Sequence, residues 1–166
     1  FDEEYKESIK EEWFFPLDTI SSINPHFVYN HFTKEQMILA QDDYYNLIAI
    51  NSSGEKLWDK KIESKILGEI YFIDSYKNNK FQALFNTSGQ LHLIDRNGKY
   101  VDGFPKKLPA VTSIGMSLFD YDQNKKYRIM IVGEDNMLYN LNKKGEIVDG
   151  WKYIKTNNRI SKNPNH

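Results

Sequence analysis

Asp120, Asp122 and Asn124 have the alternate spacing that can place several side-chain oxygens around a calcium ion. Lys125 and Lys126 follow at once and no distal acid completes an oxygen cage, so like-charge repulsion opposes a cation there. The sister stretch from Asp74 to Lys80 keeps the first Asp and loses the second. A turn in which Asp caps local amides explains both stretches. No metal or cofactor is therefore expected, and calcium at Asp120 is the rival reading. The four histidines, His26, His31, His92 and His166, lack metal-ligand spacing. None has a recognisable partner that would orient it as a general base. Asp42-Asp43 and Glu11-Glu12 are adjacent carboxylates, which point to opposite faces of a strand and so form no dyad if extended. Asp42-Asp43 lead into Tyr44-Tyr45-Asn46, read as an exposed turn, with a loop-borne contact patch as the functional alternative. No Gly-x-Ser-x-Gly elbow, phosphate-binding glycine loop or zinc-protease motif occurs. Cysteine is absent, which excludes disulfides, thiolate metal sites and a cysteine nucleophile. The chain is not expected to be an enzyme.

The elements that must carry these residues repeat. Asn51 to Gly54, Asp95 to Gly98 and Asn142 to Gly145 share the form Asn/Asp-x-x-Gly, and their glycines are 44 and 47 residues apart. A tight hairpin needs positive φ, which Gly adopts without steric cost. Before the turns stand Leu47-Ile48-Ala49-Ile50, Leu91-His92-Leu93-Ile94 and Leu138-Tyr139-Asn140-Leu141. His92 thus shares a column with Ile48 and Tyr139, which points to packing. Further upstream lie the apolar runs 37–40, 81–85 and 129–132, each preceded by a turn residue at Asn30, Asp74 or Asp120. An aromatic recurs as well, at Trp13, Trp58, Phe104 and Trp151, where each fourth strand is expected to end. Four short strands per ~40–50 residues is the period of a propeller blade.

The expected fold is therefore all-β: a single β-propeller segment of four-stranded antiparallel blades, about three full blades with partial blades at both ends. Residues 1–17 read as the end of a preceding blade, 26–62, 68–108 and 115–154 as blades, and 159–166 as the start of a next one. Phe1, Tyr5, Ile9 and Trp13 are four apart, so a short amphipathic helix ending before Pro16 competes with the strand there. The chain does not open on Met and shows no signal peptide at Phe1, so it is expected to be processed, trimmed or incompletely covered. Blades of an incomplete ring expose apolar sheet faces, which predicts flanking blades, a partner domain or self-association.

Ala49, Asn51, Gly54 and Trp58 sit where the repeat of pyrroloquinoline-quinone-type (PQQ-like) propellers wants them, in a turn one residue shorter. Asp120-Tyr121-Asp122, Ile129 to Val132, Gly145 and Gly150-Trp151 resemble the FG-GAP and VCBS propeller repeats of bacterial surface proteins, as does Gly103-Phe104-Pro105. The WD repeat fits less well, since Trp58-Asp59 has no upstream Gly-His pair, and the Gly-Gly doublet of kelch repeats is absent. The resemblance implies a non-enzymatic binding or scaffolding segment of a larger bacterial protein, extracytoplasmic, with a protein or glycan partner. It also raises two alternatives: a scaffold in outer-membrane protein assembly, and a fragment of a quinone-dependent dehydrogenase.

Composition narrows the partners. Lys and Arg number 22 against 23 for Asp and Glu, so no overall basic excess equips the chain for nucleic acid. No apolar run approaches the ~18–20 residues of a membrane span. Asn51-Ser52-Ser53 and Asn86-Thr87-Ser88 match the glycosylation acceptor, relevant only in a eukaryotic secretory setting, whereas the Lys-, Asn- and Ile-rich composition reads as bacterial.

Overall fold

The computed structural model describes residues 12–17, 23, 25–30, 35–152, 154–155 and 157. Three four-stranded antiparallel sheets follow one another along the chain. The first comprises β1 (His26–Asn30), β2 (Glu35–Gln41), β3 (Asn46–Asn51) and β4 (Lys56–Lys61). The second comprises β5 (Leu67–Ile73), β6 (Gln82–Asn86), β7 (Gln90–Ile94) and β8 (Lys106–Lys107). The third comprises β9 (Ser117–Phe119), β10 (Arg128–Val132), β11 (Met137–Leu141) and β12 (Ile154–Lys155). Within each sheet the spatial order is the chain order, the meander of a propeller blade. The all-β propeller expectation holds. Residues 1–11 and 159–166 lie outside the described residues, as do His31 and His166, while Glu12–Leu17 are neither helix nor strand.

The sheets stack because their middle strands are apolar on both faces. Ala83, Phe85 and Ile94 of the second sheet pack with Leu39, Leu47 and Ala49 of the first. Their neighbours Leu84, Leu91 and Leu93 pack instead with Ile129, Ile131 and Leu141 of the third. Successive side chains on a strand point to opposite faces, so one apolar run serves two cores. Ile62 and Ile66 complete the first core, and Leu108 and Met116 the second, all from connections between sheets.

The repeating turn is built by its first residue as much as by its glycine. Asn51 Oδ1 accepts from the backbone N–H of Ser53 at 2.9 Å and of Glu55 at 2.8 Å. Asp95 Oδ1 does the same for Asn97 and Lys99, and Asn142 Oδ1 for Lys144 and Glu146. This is an Asx turn, which satisfies amides that the hairpin leaves unpaired. Gly54, Gly98 and Gly145 then take φ of 79°, 77° and 73°.

The aromatic register departs from expectation. Trp58 lies inside β4, but Phe104 and Trp151 fall before β8 and β12. Asp102-Gly103 and Asp149-Gly150 turn the chain after the isolated bridges Ile94–Tyr100 and Leu141–Ile147, with φ of 82° and 75° at the two glycines, and so delay the fourth strand.

Between sheets, a ring lies on a glycine. A Cβ added at Gly98 would stand 2.8 Å from Trp58 Cδ2, and one at Gly54 the same distance from Trp13 Cδ2. Trp58 Nε1 also donates to Arg96 O at 2.8 Å, pinning the first sheet to the turn of the second. Gly98→Ala should cost about 2–4 kcal/mol, from left-handed strain and a ring forced outward. Gly103→Ala, with open space around it, should cost only the strain, about 1–2 kcal/mol. Urea denaturation midpoints of the two variants check this difference.

Candidate functional site

Asp120 and Asp74 prove to be the same device. Asp120 accepts the backbone N–H groups of Asn124 at 3.1 Å and Lys125 at 3.0 Å, one on each carboxylate oxygen. Asp74, fully buried, accepts those of Asn78 and Asn79, each at 2.9 Å. Each turn carries two left-handed residues, Lys77 and Asn79 in one, Gln123 and Lys125 in the other. Asn124 turns its amide Nδ2 toward Asp122, at 3.2 Å, and its Oδ1 accepts from Lys126 N. A calcium ion needs those oxygens facing inward and free, so this donor set does not fit one. Among the described residues no group of three or more His, Asp or Glu side chains is placed to hold a metal.

Lys125 instead reaches back to the second sheet, donating to Asp74 Oδ2 and, at 3.1 Å, to Asn79 Oδ1. Burial pushes the Asp74 carboxyl up, but the Lys125 ammonium and the two amides outweigh it and hold its pKa below the ordinary value. Tyr127 OH accepts from Asp74 N at 3.1 Å, so the third sheet holds both ends of that residue.

His92 sits at the facing joint, between the first and second sheets, fully buried and stacked on Phe85 with centroids 4.9 Å apart. Its Nε2 lies 3.2 Å from Glu63 Oε2, and its Nδ1 lies 3.0 Å from Tyr100 OH. A carboxylate only accepts, so Nε2 carries the proton and Nδ1 receives the phenol O–H. Thr87 Oγ1 donates to the other Glu63 oxygen. Burial pushes the imidazole below its ordinary pKa, and Glu63 only partly offsets this. Burial, then the charge of Glu63, pushes the Tyr100 phenol up to about 12. The packing expected of His92 is present, but its polar partners were invisible in the sequence. The one available signal was a histidine in an apolar column, since a buried ring nitrogen requires a partner.

One further expectation changes. Asp42 is buried, not exposed, and its carboxylate accepts both Asn46 N and Asn46 Nδ2 at 2.8 Å, while Tyr44 and Tyr45 remain exposed. Asn86, in a glycosylation-like triplet, is fully buried and accepts from Met116 N at 2.7 Å, so no glycan can be added there.

The open feature is a cleft between the second and third sheets. At the Gly145 turn the wedge is missing: a Cβ there would meet Leu91 Cδ2 and Lys106 Cγ, each at 3.2 Å, and not Phe104. Phe104 instead lines a cavity of about 430 Å³ with Tyr76, Val101, Lys143 and Lys144. The counterpart beside Trp58 encloses only about 20 Å³, room for about one water. A second cavity, about 320 Å³, adjoins across Lys143 and Lys144 and is lined by Lys77, Lys125, Lys126 and Arg128. Seven cations line the two cavities against two carboxylates, Asp102 and Glu146.

No family model matches the chain, and no curated protein matches it. Among solved structures it is similar to BBS1N crystallised in complex with ARL6DN and soaked with lead. That alignment has a TM-score of 0.61 and 14% identity, covering 89% of this chain and 49% of that one. A mercury-soaked crystal of BBS1N in complex with ARL6DN aligns at TM-score 0.43 and 11% identity, over 89% of this chain and 60% of that one. The chain thus spans about half the length of the BBS1N chain in the first alignment. At such identity the likeness carries the fold alone: this chain is a β-propeller segment.

A histidine whose folded pKa lies below 6.5 contributes stability that is complete above pH 6.5 and is lost as the pH falls through the folded value. His26, 3.4 Å from Glu69, is shifted downward too, again chiefly by burial. Stability should therefore fall as the pH drops below about 6.5. His92→Gln should flatten that slope, and adding His26→Gln should flatten it further, read as urea midpoints at each pH.

Proposed function

We propose that this chain is a non-enzymatic interaction segment of a larger propeller and offers one rim to a protein partner. The carrying observation is how its polar groups are spent. The carboxylates of Asp74 and Asp120 and the imidazole of His92 are engaged in fixing turns and joining sheets, while the cleft beside Phe104 stays open. Turns between first and second strands and between third and fourth strands all contribute to that rim. The fold it resembles, BBS1N, was crystallised in complex with ARL6DN, which supports a protein as the partner class.

The finer reading is a PQQ-like or FG-GAP-like segment of a bacterial, extracytoplasmic protein, supported by the motif matches and, for the bacterial source, the Lys-, Asn- and Ile-rich composition. Phe27 and Tyr29 are 70% and 58% exposed on the face of β1 opposite buried Val28, a sheet face suited to another blade or a second copy. Light scattering should show association of the isolated chain; a monodisperse monomer would count against that covering. Immobilised chain should retain a protein from a bacterial envelope extract. Retention of none, or a bound chromophore after adding pyrroloquinoline quinone and calcium, would overturn the binding reading.

A further inference from the structure

We infer that the cleft between the second and third sheets receives an extended acidic segment of a protein, one carrying an apolar side chain beside its carboxylates. This rests on the protein-binding reading and names the chemistry of the partner.

Charge is the first argument. The chain as a whole carries a formal net charge of −1, yet the cleft gathers seven of its 22 Lys and Arg residues. One of the seven, Lys125, is neutralised by Asp74. Among the described residues Lys77, Lys126, Arg128 and Lys144 have no ion-pair partner. Glu146 makes no ion pair with them, its carboxylate accepting from Asn142 Nδ2 at 3.1 Å within its own turn. With the three carboxylates of Asp74, Asp102 and Glu146 set against the seven cations, four positive charges remain in excess. Lys143 is held in place by donating to Ser75 O across the joint. Cations crowded this way repel one another, and an anionic partner relieves the repulsion as it binds.

Shape is the second argument. The two cavities share Lys143, Lys144 and Glu146 in their linings, so they adjoin along the same rim. One end presents Tyr76, Val101 and Phe104, the other the unpaired cations. A single small anion would leave most of about 430 and about 320 Å³ unfilled. A strand of peptide fills such a cleft, with an apolar side chain at the Phe104 end and carboxylates at the Lys126 end. Nucleic acid is the less suitable occupant, because the near-neutral chain lacks the wider basic field that draws a polyanion.

The test uses the chain as it stands and a fluorescein-labelled peptide of about twelve residues, ~40 Å when extended, with a central Phe flanked by Glu. Fluorescence anisotropy should show saturable binding that weakens at least about tenfold when Gln replaces Glu, and again when salt rises from about 0.05 M to about 0.5 M. The triple variant Lys77→Glu, Lys126→Glu, Lys144→Glu should lose binding by at least about tenfold while melting no lower than the parent, since removing like-charge repulsion does not harm the fold. The inference is overturned if the Gln peptide binds equally, if the triple variant binds unchanged, or if a labelled oligo-dT of equal length binds more tightly than the Glu peptide. The envelope capture separates the two levels. A partner retained equally by the triple variant sinks the cleft and leaves protein binding standing. No partner retained by the parent chain sinks the broader reading, while the peptide titration still decides the cleft.

Discussion

Stacked sheets with apolar residues on both faces must be covered by their neighbours, and here the covering is set by an indole laid flat on a glycine. Trp58 reaches Gly98, and Trp13 reaches Gly54, at distances that leave no room for a Cβ. The contact couples three levels of structure. The Asx turn presents the glycine, positive φ keeps its surface bare, and the ring sets how closely the next sheet approaches. The core behind the Trp58 joint, around Phe85, depends on that spacing.

Polar groups give each joint its particular fit. Apolar faces alone slide over one another at little cost, whereas a buried ion or ring nitrogen must meet its partner. Glu63, His92 and Tyr100 lock the first joint, with Lys60 Nζ 4.4 Å above the Tyr100 ring. Asp74, Lys125 and Tyr127 lock the second. Asn86 ties the second sheet to the connection leading into the third, bonding Ile114 O and Met116 N. Each group is matched to one neighbour only, so the order of the sheets is chemically specified even though their backbones are alike.

Much of the fold was legible because turns of one type need particular residues at fixed places. Asn51, Asp95 and Asn142 with their glycines could be read directly, and the strands followed from the apolar runs between them. The strand after Phe104 was misplaced because Gly103 inserts a turn that a search for aromatics at regular spacing does not see. The polar locks were hidden for another reason. Glu63 and His92 lie 29 residues apart, and Asp74 and Lys125 lie 51 apart, so nothing local marks them as partners. The cleft was hidden most completely. Lys77, Lys126 and Lys144 come from three different turns and look like ordinary surface lysines until the sheets bring them together.

The missing ring at Gly145 has a consequence for stoichiometry. An array of near-identical joints would offer a partner several equivalent seats, and the partner could dock at any of them. Here the joints at Trp13 and Trp58 are stoppered by a ring, whereas Leu91 and Lys106 stand over Gly145 and Phe104 lines the neighbouring cavity. That single lapse in periodicity gives the described blades one distinguishable address, so a guest in the inferred cleft would meet these blades in one rotational setting and in a one-to-one ratio.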